Sequence, residues 1–292
     1  MTLDFIAACN ANTIGLLDEF RRLVATRLPA HEDGDFYNYR FNNPYFGYVD
    51  VENDSCSPFY MLNNNDDLVA MHYLWYGRNG YERASVREWV MRAKKARVVF
   101  DVGANTGLFA LLACRSNDKL EAVVAFEPTA RAHSRIMENL IVNALVDKIA
   151  VEQKAVSDRA DRLELMHYDD AYQIGTGASL LGTEKEMEVQ RREICETVTL
   201  DDYAEEHGLW PDLMKIDVEG AEVLALKGAE RLLSRRSATI LIEVLPSTAG
   251  EVVQMLDGYK IFIVDDANNT LTDYDLQRIE HYTNLLVVPA TT

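Results

Sequence analysis

The residues whose types and spacing most clearly imply chemistry follow an apolar run that ends at Phe100. Asp101, Gly103, Asn105 and Gly107 come next, at alternate positions. Glycines at this spacing let a backbone turn tightly and approach a ligand, whereas a pyrophosphate loop has the pattern G-x-G-x-x-G without an acid beside it. The carboxylate of Asp101 therefore favours a ligand that carries positive charge.

S-adenosylmethionine is such a ligand, because it carries an ammonium and a sulfonium group and no phosphate. A second acid supports this interpretation, since Glu127 ends the apolar run 122–126 and lies 24 residues after Gly103. In nucleotide-binding sheets a carboxylate about 20 residues beyond such a loop binds the ribose hydroxyls. We expect Glu127 to bind the ribose, although a solvated acid at a strand end gives the same pattern.

A third acidic motif lies at 213–222, where Asp217 and Glu219 follow a predicted strand and stand just before a glycine. Ligands of open α/β sheets bind beyond the carboxyl ends of the strands. The acids of these three loops, with Glu243 at the end of a later apolar run, should therefore meet at one edge of the sheet. Like charges crowded at one edge shift one another's pKa values, which is typical of a functional site.

The elements that must position these residues alternate along the chain. Predicted strands cover 97–101, 122–127, 149–156, 212–217, 239–244, 260–264 and 284–288. Predicted helices cover 107–115, 129–144, 219–234 and 248–257. This alternation predicts an α/β fold with a doubly wound sheet. An insert at 157–211 carries predicted strands at 162–167 and 194–199, a glycine-containing loop at 175–182 and a helix at 200–207.

Residues 1–80 form an N-terminal extension ahead of the domain at 81–292. Apolar spacing predicts helices at 5–28, 68–75 and 85–93, the last with Ser85 as its N-cap, and irregular structure at 31–65. Aromatic residues are concentrated between 36 and 81. They either face a sugar or polyketide or pack the extension onto the sheet. We expect the extension to be a cap that recognises the substrate.

Composition excludes several classes of function. The net charge of −18 and the lack of a basic cluster argue against nucleic acid as a partner. No apolar run is long enough for a membrane span, and the N-terminus has no signal-peptide pattern, so we expect a cytoplasmic protein without a membrane partner. The four cysteines form no C-x-x-C pair, which predicts neither a zinc site nor a disulfide framework.

Four stretches of the chain resemble the FkbM-type class I S-adenosylmethionine-dependent methyltransferases. They are Phe100-Asp-Val-Gly-Ala-Asn-Thr-Gly107, Phe126-Glu-Pro128, Ala155-Val-Ser-Asp158 and Lys215-Ile-Asp-Val-Glu-Gly-Ala-Glu222. The resemblance extends over residues 80–289, and the fourth stretch is its most specific part. It implies a seven-stranded Rossmann-like sheet whose last strand is antiparallel.

The resemblance also implies a role for each matching residue. Asp101, Gly103, Asn105 and Gly107 should surround the methionine part of S-adenosylmethionine, Glu127 the ribose, and Val156 and Asp158 the adenine. Asp158 has an alternative interpretation as a turn acid between Ser157 and Arg159. Thr106 is interpreted as a helix cap rather than a ligand.

The expected reaction is an in-line displacement at the sulfonium methyl by a hydroxyl of a small molecule, which leaves S-adenosylhomocysteine. Asp217 or Glu219 is the candidate acceptor of the hydroxyl proton. One alternative is a Mg²⁺ ion held by Asp217 and Glu243. A non-catalytic S-adenosylmethionine-binding scaffold and a nicotinamide-dependent dehydrogenase are further alternatives, and the acid before the glycines argues against the dehydrogenase.

Overall fold

The computed structural model describes residues 2–25, 40, 42–168, 174, 178–181 and 188–290, apart from the side chains of 23–25. Its helices are α1 (Leu3–Ala25), α2 (Leu68–Tyr76), α3 (Arg83–Ala93), α4 (Leu108–Ser116), α5 (Ala130–Val142), α6 (Leu200–His207), α7 (Glu222–Lys227), α8 (Glu230–Ser234) and α9 (Ala249–Met255), with a 3-10 turn at Leu276–Arg278. None of these helices is long and apolar enough to cross a membrane.

Three β-sheets contain the strands of the described residues. The strands are β1 (Phe46–Val51), β2 (Phe59–Asn64), β3 (Val98–Val102), β4 (Ala122–Phe126), β5 (Ile149–Glu152), β6 (Lys154–Val156), β7 (Arg162–His167), β8 (Ala178–Ser179), β9 (Arg191–Val198), β10 (Leu213–Ile216), β11 (Thr239–Val244), β12 (Tyr259–Asp265), β13 (Thr270–Asp273) and β14 (Thr283–Pro289). β1 and β2 form a separate antiparallel hairpin.

The main sheet has the order β13-β12-β14-β11-β10-β3-β4-β5. The five strands from β11 to β5 are parallel, and β14 lies antiparallel between β11 and β12. This arrangement confirms the Rossmann-like α/β fold and its antiparallel last strand. The sheet has eight strands rather than seven, because the chain turns back at Asn269, with a φ of 54°, and adds β13 to the edge.

Both faces of the main sheet are covered, which explains why its central strands are apolar throughout. All five residues of β3 are buried. Helices α2 to α5 and the β1–β2 hairpin pack on one face, and α6 to α9 pack on the other. The carboxyl ends of β3, β4, β10 and β11 therefore all open at one edge between the two helical layers.

The predicted strand at 149–156 divides between two sheets. β5 belongs to the main sheet, and β6 pairs with β9 in a smaller sheet of order β6-β9-β7-β8. The insert supplies the other strands of this smaller sheet, at 162–167, 178–179 and 191–198. The glycine loop predicted at 175–182 lies largely outside the described residues.

Helix α3 begins two residues before the predicted cap. It starts at Arg83, so Ser85 lies inside the helix and the prediction that it caps the helix is wrong. The cap is supplied by Asp266 from the turn after β12, whose carboxylate accepts hydrogen bonds from the amides of Ala84 and Ser85 and from the Ser85 hydroxyl. A capping residue so distant in sequence leaves no local signal.

The N-terminal residues are attached to the main sheet through α5. Arg135 forms a buried bidentate ion pair with Asp66, with both N···O distances at 3.0 Å. The side chain of Asn139 accepts a hydrogen bond from the amide of Leu62 and donates one to the carbonyl of Thr106, in the glycine loop. The extension is thus bonded to the same loop that the sequence marks as functional.

Most of the aromatic side chains that the structure describes in this part of the chain serve packing. Phe59, Tyr73 and Trp75 are each 1% exposed in the core. Tyr48 and Tyr60 are exposed on the β1–β2 hairpin, and Tyr81 lines the ligand cavity described below. Tyr37 and Tyr39 lie outside the described residues. The packing interpretation of the aromatic cluster is therefore right for its buried members.

Candidate active site

A cavity of about 470 Å³ opens at the carboxyl edge of the main sheet. Its walls come from the loops after β3, β4, β10 and β11, from the start of α2, and from the smaller sheet. A volume of this size is typical of small-molecule and cofactor sites. The sequence predicts that the acids meet at this edge of the sheet, and the structure has a cavity there.

Most of the residues assigned to the site from sequence line this cavity. Those that line it are Gly103, Asn105, Glu127, Val156, Asp217, Glu219 and Glu243. Asp101, Gly107 and Asp158 are not part of the lining. Gly107 is the N-cap of α4, with a φ of 89°, and Asp158 lies beside Arg159 in an ion pair. The predicted contact of Asp158 with adenine stays a prediction.

Asp101 acts as the capping side chain of α4. One oxygen of its carboxylate accepts a hydrogen bond of 2.8 Å from the amide of Ala110, in the first turn of that helix. Gly107 has no side chain to do this, so Asp101 supplies the acceptor that an N-cap residue normally provides. Burial raises the pKa of Asp101 to about 7, although the Ala110 bond and Lys215 act in the opposite direction.

Position 103 must be a glycine, because the loop after β10 approaches its backbone too closely for a side chain. Its φ is 76°, and a Cβ atom there would lie 1.7 Å from the carbonyl oxygen of Asp217. The same two loops are joined by a hydrogen bond from the Asp217 amide to the carbonyl of Val102. The glycine therefore brings the loop after β3 and the loop after β10 into contact, and both then line the cavity.

Glu127 is held rigidly in the wall of the cavity. Its carboxylate accepts hydrogen bonds from the amide of Asn105 at 2.9 Å and from the amide and hydroxyl of Thr129 at 2.9 and 2.7 Å. Burial raises its pKa to about 7, and these hydrogen bonds limit the rise. A carboxylate offers roughly four lone-pair sites, so acceptor capacity remains for a ligand.

One further polar atom of the glycine loop lies in this part of the structure. The side-chain oxygen of Asn105, a cavity-lining residue, is buried and has no hydrogen-bond partner within the described residues. The hydroxyl of Thr106 instead lies beside the carboxylate of Asp67, where burial raises the pKa of that carboxylate and the hydroxyl acts to lower it. Buried polar atoms are normally hydrogen-bonded, so the oxygen of Asn105 is positioned for a polar ligand. The interpretation of Thr106 as a helix cap is wrong, because Gly107 occupies the cap position.

Lys215 is the central cation of the opposite end of the cavity. Its side chain is 1% exposed, and its Nζ lies 3.0 Å from the carboxylate of Asp217 and 3.2 Å from the side-chain oxygen of Asn284. Burial acts to lower the pKa of Lys215, but Asp217, Glu82 and other acids outweigh it, so the pKa is raised. Lys215 is therefore positively charged.

The acids around Lys215 are strongly perturbed. Burial and the neighbouring Asp217 raise the pKa of Glu243 well above its ordinary value, although Lys215 acts to lower it. Burial likewise raises the pKa of Glu82, at the start of α3, to about 7. Tyr81 lines the cavity beside them, and burial raises the pKa of its hydroxyl well above 10.

Sequence reasoning missed Lys215, Tyr81 and Asn284 as members of this cluster. A signal for Lys215 was present, because a lysine inside an apolar strand needs an anionic partner when it is buried. Tyr81 and Asn284 reach the site from elements distant in sequence, and no local pattern marks them. Their positions follow from the packing of α3 and β14 against β10 and β11.

The structure brings the alternative metal pair of Asp217 and Glu243 to the same end of the cavity. Within the described residues, no group of three or more histidine, cysteine, aspartate or glutamate side chains is arranged to hold a metal ion. The ammonium of Lys215 already contacts the carboxylate of Asp217. A cation is thus built into this end of the site.

Fold and site together define a Rossmann-like protein with a cavity at the carboxyl ends of its central strands. The model of the methyltransferase FkbM domain matches residues 101–263. The chain therefore belongs to this family of methyltransferases, which confirms the resemblance of its motifs.

Individual relatives are distant. The 31-O-demethyl-FK506 methyltransferase FkbM of Streptomyces tacrolimicus is 27% identical over 208 residues, which cover 62% of this chain and 79% of that protein. The structure of methyltransferase FkbM from Methylobacillus flagellatus is 17% identical, with a TM-score of 0.43, over 65% of this chain and 43% of that longer one. A methyltransferase structure from Agrobacterium tumefaciens is 10% identical, with a TM-score of 0.46, over 85% of this chain and 72% of that one.

Replacing Gly103 by alanine should destabilise the protein. The positive φ costs a non-glycine residue about 1–2 kcal/mol, and the new Cβ would also displace the Asp217 carbonyl. We expect the free energy of unfolding in denaturant to fall by at least about 2 kcal/mol. Gly250→Ala is the matched control, since a Cβ there meets nothing within 4 Å in helix α9. Equal stability of both variants would contradict the proposed loop contact.

The buried carboxyls Asp101 and Glu127 should make stability depend on pH. Their pKa values of about 7 exceed those of the unfolded chain, so the folded state holds their protons more tightly. Their contribution to stability is full below pH 4 and is lost as the pH rises through 7. Each unit of pKa difference corresponds to about 1.4 kcal/mol. Asp101→Asn and Glu127→Gln should therefore flatten the fall in unfolding free energy between pH 5 and 8, whereas the surface substitution Asp273→Asn should not.

Proposed function

We propose that this protein transfers the methyl group of S-adenosylmethionine to a hydroxyl group of a small molecule. The observation that carries the proposal is that one cavity joins two chemically different ends. At one end are Glu127 and the unpartnered side-chain oxygen of Asn105, and at the other is the acidic cluster around Lys215. A cofactor and a second substrate would meet between these ends.

The first end fits the cofactor. Glu127 retains acceptor capacity for a ribose hydroxyl, and the oxygen of Asn105 would hydrogen-bond to the methionine part. Phe126, Ala155 and Val156 provide an apolar wall for the adenine. Asp101 would act indirectly, by ordering the glycine loop through its bond to α4. S-adenosylmethionine, when bound, supplies an already activated methyl group.

The protein's contribution to methyl transfer is mainly alignment. An acceptor oxygen must lie behind the methyl carbon, in line with the sulfur, and effective molarity can lower the barrier by about 7–11 kcal/mol. Asp217 and Glu219 line the end at which the acceptor would lie. Either carboxylate is therefore a candidate to accept the proton of the hydroxyl, as the sequence predicts. Glu243 lines the same end of the cavity.

The acceptor wall favours a neutral hydroxylated molecule. Leu68, Val69, Leu245 and the aromatic rings of Tyr81 and Tyr282 line it together with the carboxylates. Aromatic and aliphatic walls suit a sugar ring or a polyketide, while the carboxylates would repel an anionic acceptor. The Streptomyces relative is named for 31-O-demethyl-FK506, which supports oxygen as the acceptor atom.

We favour a reaction that needs no added metal ion. A Mg²⁺ ion bound by Asp217 and Glu243 would have to lie beside the Lys215 ammonium, which contacts Asp217 at 3.0 Å and would repel it. Lys215 instead supplies a fixed positive charge at the place where a metal-dependent enzyme would hold its ion. The residues present thus fit the metal poorly and the methyl donor well.

Glu127→Gln should weaken cofactor binding. The substitution keeps the size of the side chain but removes the charge that a ribose hydroxyl would contact, and hydrogen bonds to charged groups contribute about 1.5–3 kcal/mol. Calorimetric titration should show S-adenosylmethionine and S-adenosylhomocysteine binding about 10- to 100-fold more weakly.

Asp158→Asn tests the predicted adenine contact, and we expect a smaller loss of affinity because Asp158 is outside the cavity lining. Failure of the wild type to bind either compound would refute the cofactor assignment.

Methyl transfer can be assayed with S-adenosylmethionine labelled in its methyl group. We expect transfer to neutral hydroxylated acceptors from a panel that contains 31-O-demethyl-FK506 and methyl glucosides, with no transfer to glucuronate. The rate should be unchanged by EDTA. A rate that is lost in EDTA and restored by Mg²⁺ would instead support the metal-assisted alternative, and label on the nitrogen of an amino sugar would refute O-methylation.

A further inference from the structure

The acceptor end of the cavity is built from three neighbouring strands of the main sheet. Ile216 of β10 pairs with Ile242 of β11, so that Asp217 and Glu243 follow them at the same level. Glu243 in turn pairs with Asn284 of β14. The two acids line the cavity, and the Asn284 amide lies next in the row, where its oxygen contacts the Lys215 ammonium at 3.2 Å.

The acids that line the cavity differ in the hydrogen bonds and ion pairs that they form with other residues. Asp217 has an oxygen in contact with Lys215, and Glu127 accepts three hydrogen bonds at the cofactor end. Glu219 lies in the loop after β10, and its carbonyl accepts a hydrogen bond from the Ser179 hydroxyl. The carboxylate of Glu243 lines the cavity and has no hydrogen bond or ion pair to any residue that the structure describes.

We infer that Glu243, rather than Asp217, accepts the proton of the acceptor hydroxyl. This inference rests on the proposed methyl transfer. A lone pair of the acceptor oxygen forms the new bond to the methyl carbon, the carbon–sulfur bond breaks, and its electrons remain on the sulfur of S-adenosylhomocysteine. The hydroxyl proton passes to the carboxylate of Glu243, which later releases it to solvent.

The charges that face Glu243 from the surrounding elements support this role. Asp217 and Glu219 approach from the loop after β10, and Glu82 and Tyr81 from the start of α3, while Lys215 is the positive group of the set. Burial and the three acids favour the protonated form of Glu243, so its pKa is raised. The geometry carries the assignment, because the carboxylate of Glu243 lies in the cavity wall among these groups, within reach of a hydroxyl that enters the pocket.

Asp217 then has a different task. Its carboxylate contacts the Lys215 ammonium at 3.0 Å, whereas the carboxylate of Glu243 forms no ion pair with that lysine. Asp217 is therefore a positioning residue in this scheme, and its charge helps to hold the pKa of Glu243 high. The sequence places Glu243 at this edge of the sheet and names it as a possible metal ligand, but it does not predict it as the proton acceptor.

The experiment compares Glu243→Gln, Glu243→Ala and Asp217→Asn with the wild type, using the acceptor of highest turnover from the panel above. We expect Glu243→Gln to lower kcat by at least about 100-fold, in the range of general base catalysis, while S-adenosylmethionine binds within threefold of the wild-type affinity. Formate should restore part of the activity of Glu243→Ala. Asp217→Asn should lower kcat less than Glu243→Gln does, with the acidic limb of its pH–rate profile moved to lower pH.

The opposite pattern would overturn the inference. Glu243→Gln within tenfold of the wild-type kcat, together with an inactive Asp217→Asn variant, would assign the proton to Asp217. Glu243→Ala that is folded, binds the cofactor and gains nothing from formate would show that Glu243 has only a structural role. Failure of the methyltransferase proposal itself is distinct, since it would appear as absent cofactor binding or absent turnover in the wild type.

Discussion

The contact between Lys215 and Asp217 is the interaction on which the site depends. A buried ammonium is costly unless it is paired and hydrogen-bonded, and here Asp217 and Asn284 meet it while the ring of Phe109 lies 5.3 Å from its Nζ. The lysine in turn makes it possible for Glu82 and Glu243 to lie close together in a partly buried pocket. Without this cation, the like charges at the end of β10 and β11 would have to be protonated or separated.

The same region shows how the two ends of the cavity are joined. Gly103 allows the carbonyl of Asp217 to contact the glycine loop directly, and Asp101 bonds that loop to α4. The backbone amide of Asn105 then donates a hydrogen bond to Glu127. A continuous set of short contacts therefore runs from Asp217 to Glu127, so the two ends of the cavity hold a defined spacing. Alignment of this kind is what a methyl displacement requires.

The sequence predicts the architecture and the edge of the sheet at which the site lies, because parallel strands and their terminal acids leave local patterns. It does not predict which task each acid performs. Asp101 caps a helix inside the protein, the run 149–156 divides between two sheets, and α3 takes its cap from Asp266. Each of these outcomes depends on a partner distant in the chain, and a local pattern contains no information about such a partner.

The wall formed by the start of α2 and by Tyr81 has a consequence for how this protein is divided. The family model matches residues 101–263, yet Leu68, Val69 and Tyr81 precede that segment and Tyr282 follows it. The portion that matches the family model is thus smaller than the portion that lines the cavity. Residues outside the shared segment can change the shape of the acceptor pocket without altering the motifs that define the family. Members of one family can in this way acquire different acceptors while they keep the same methyl donor.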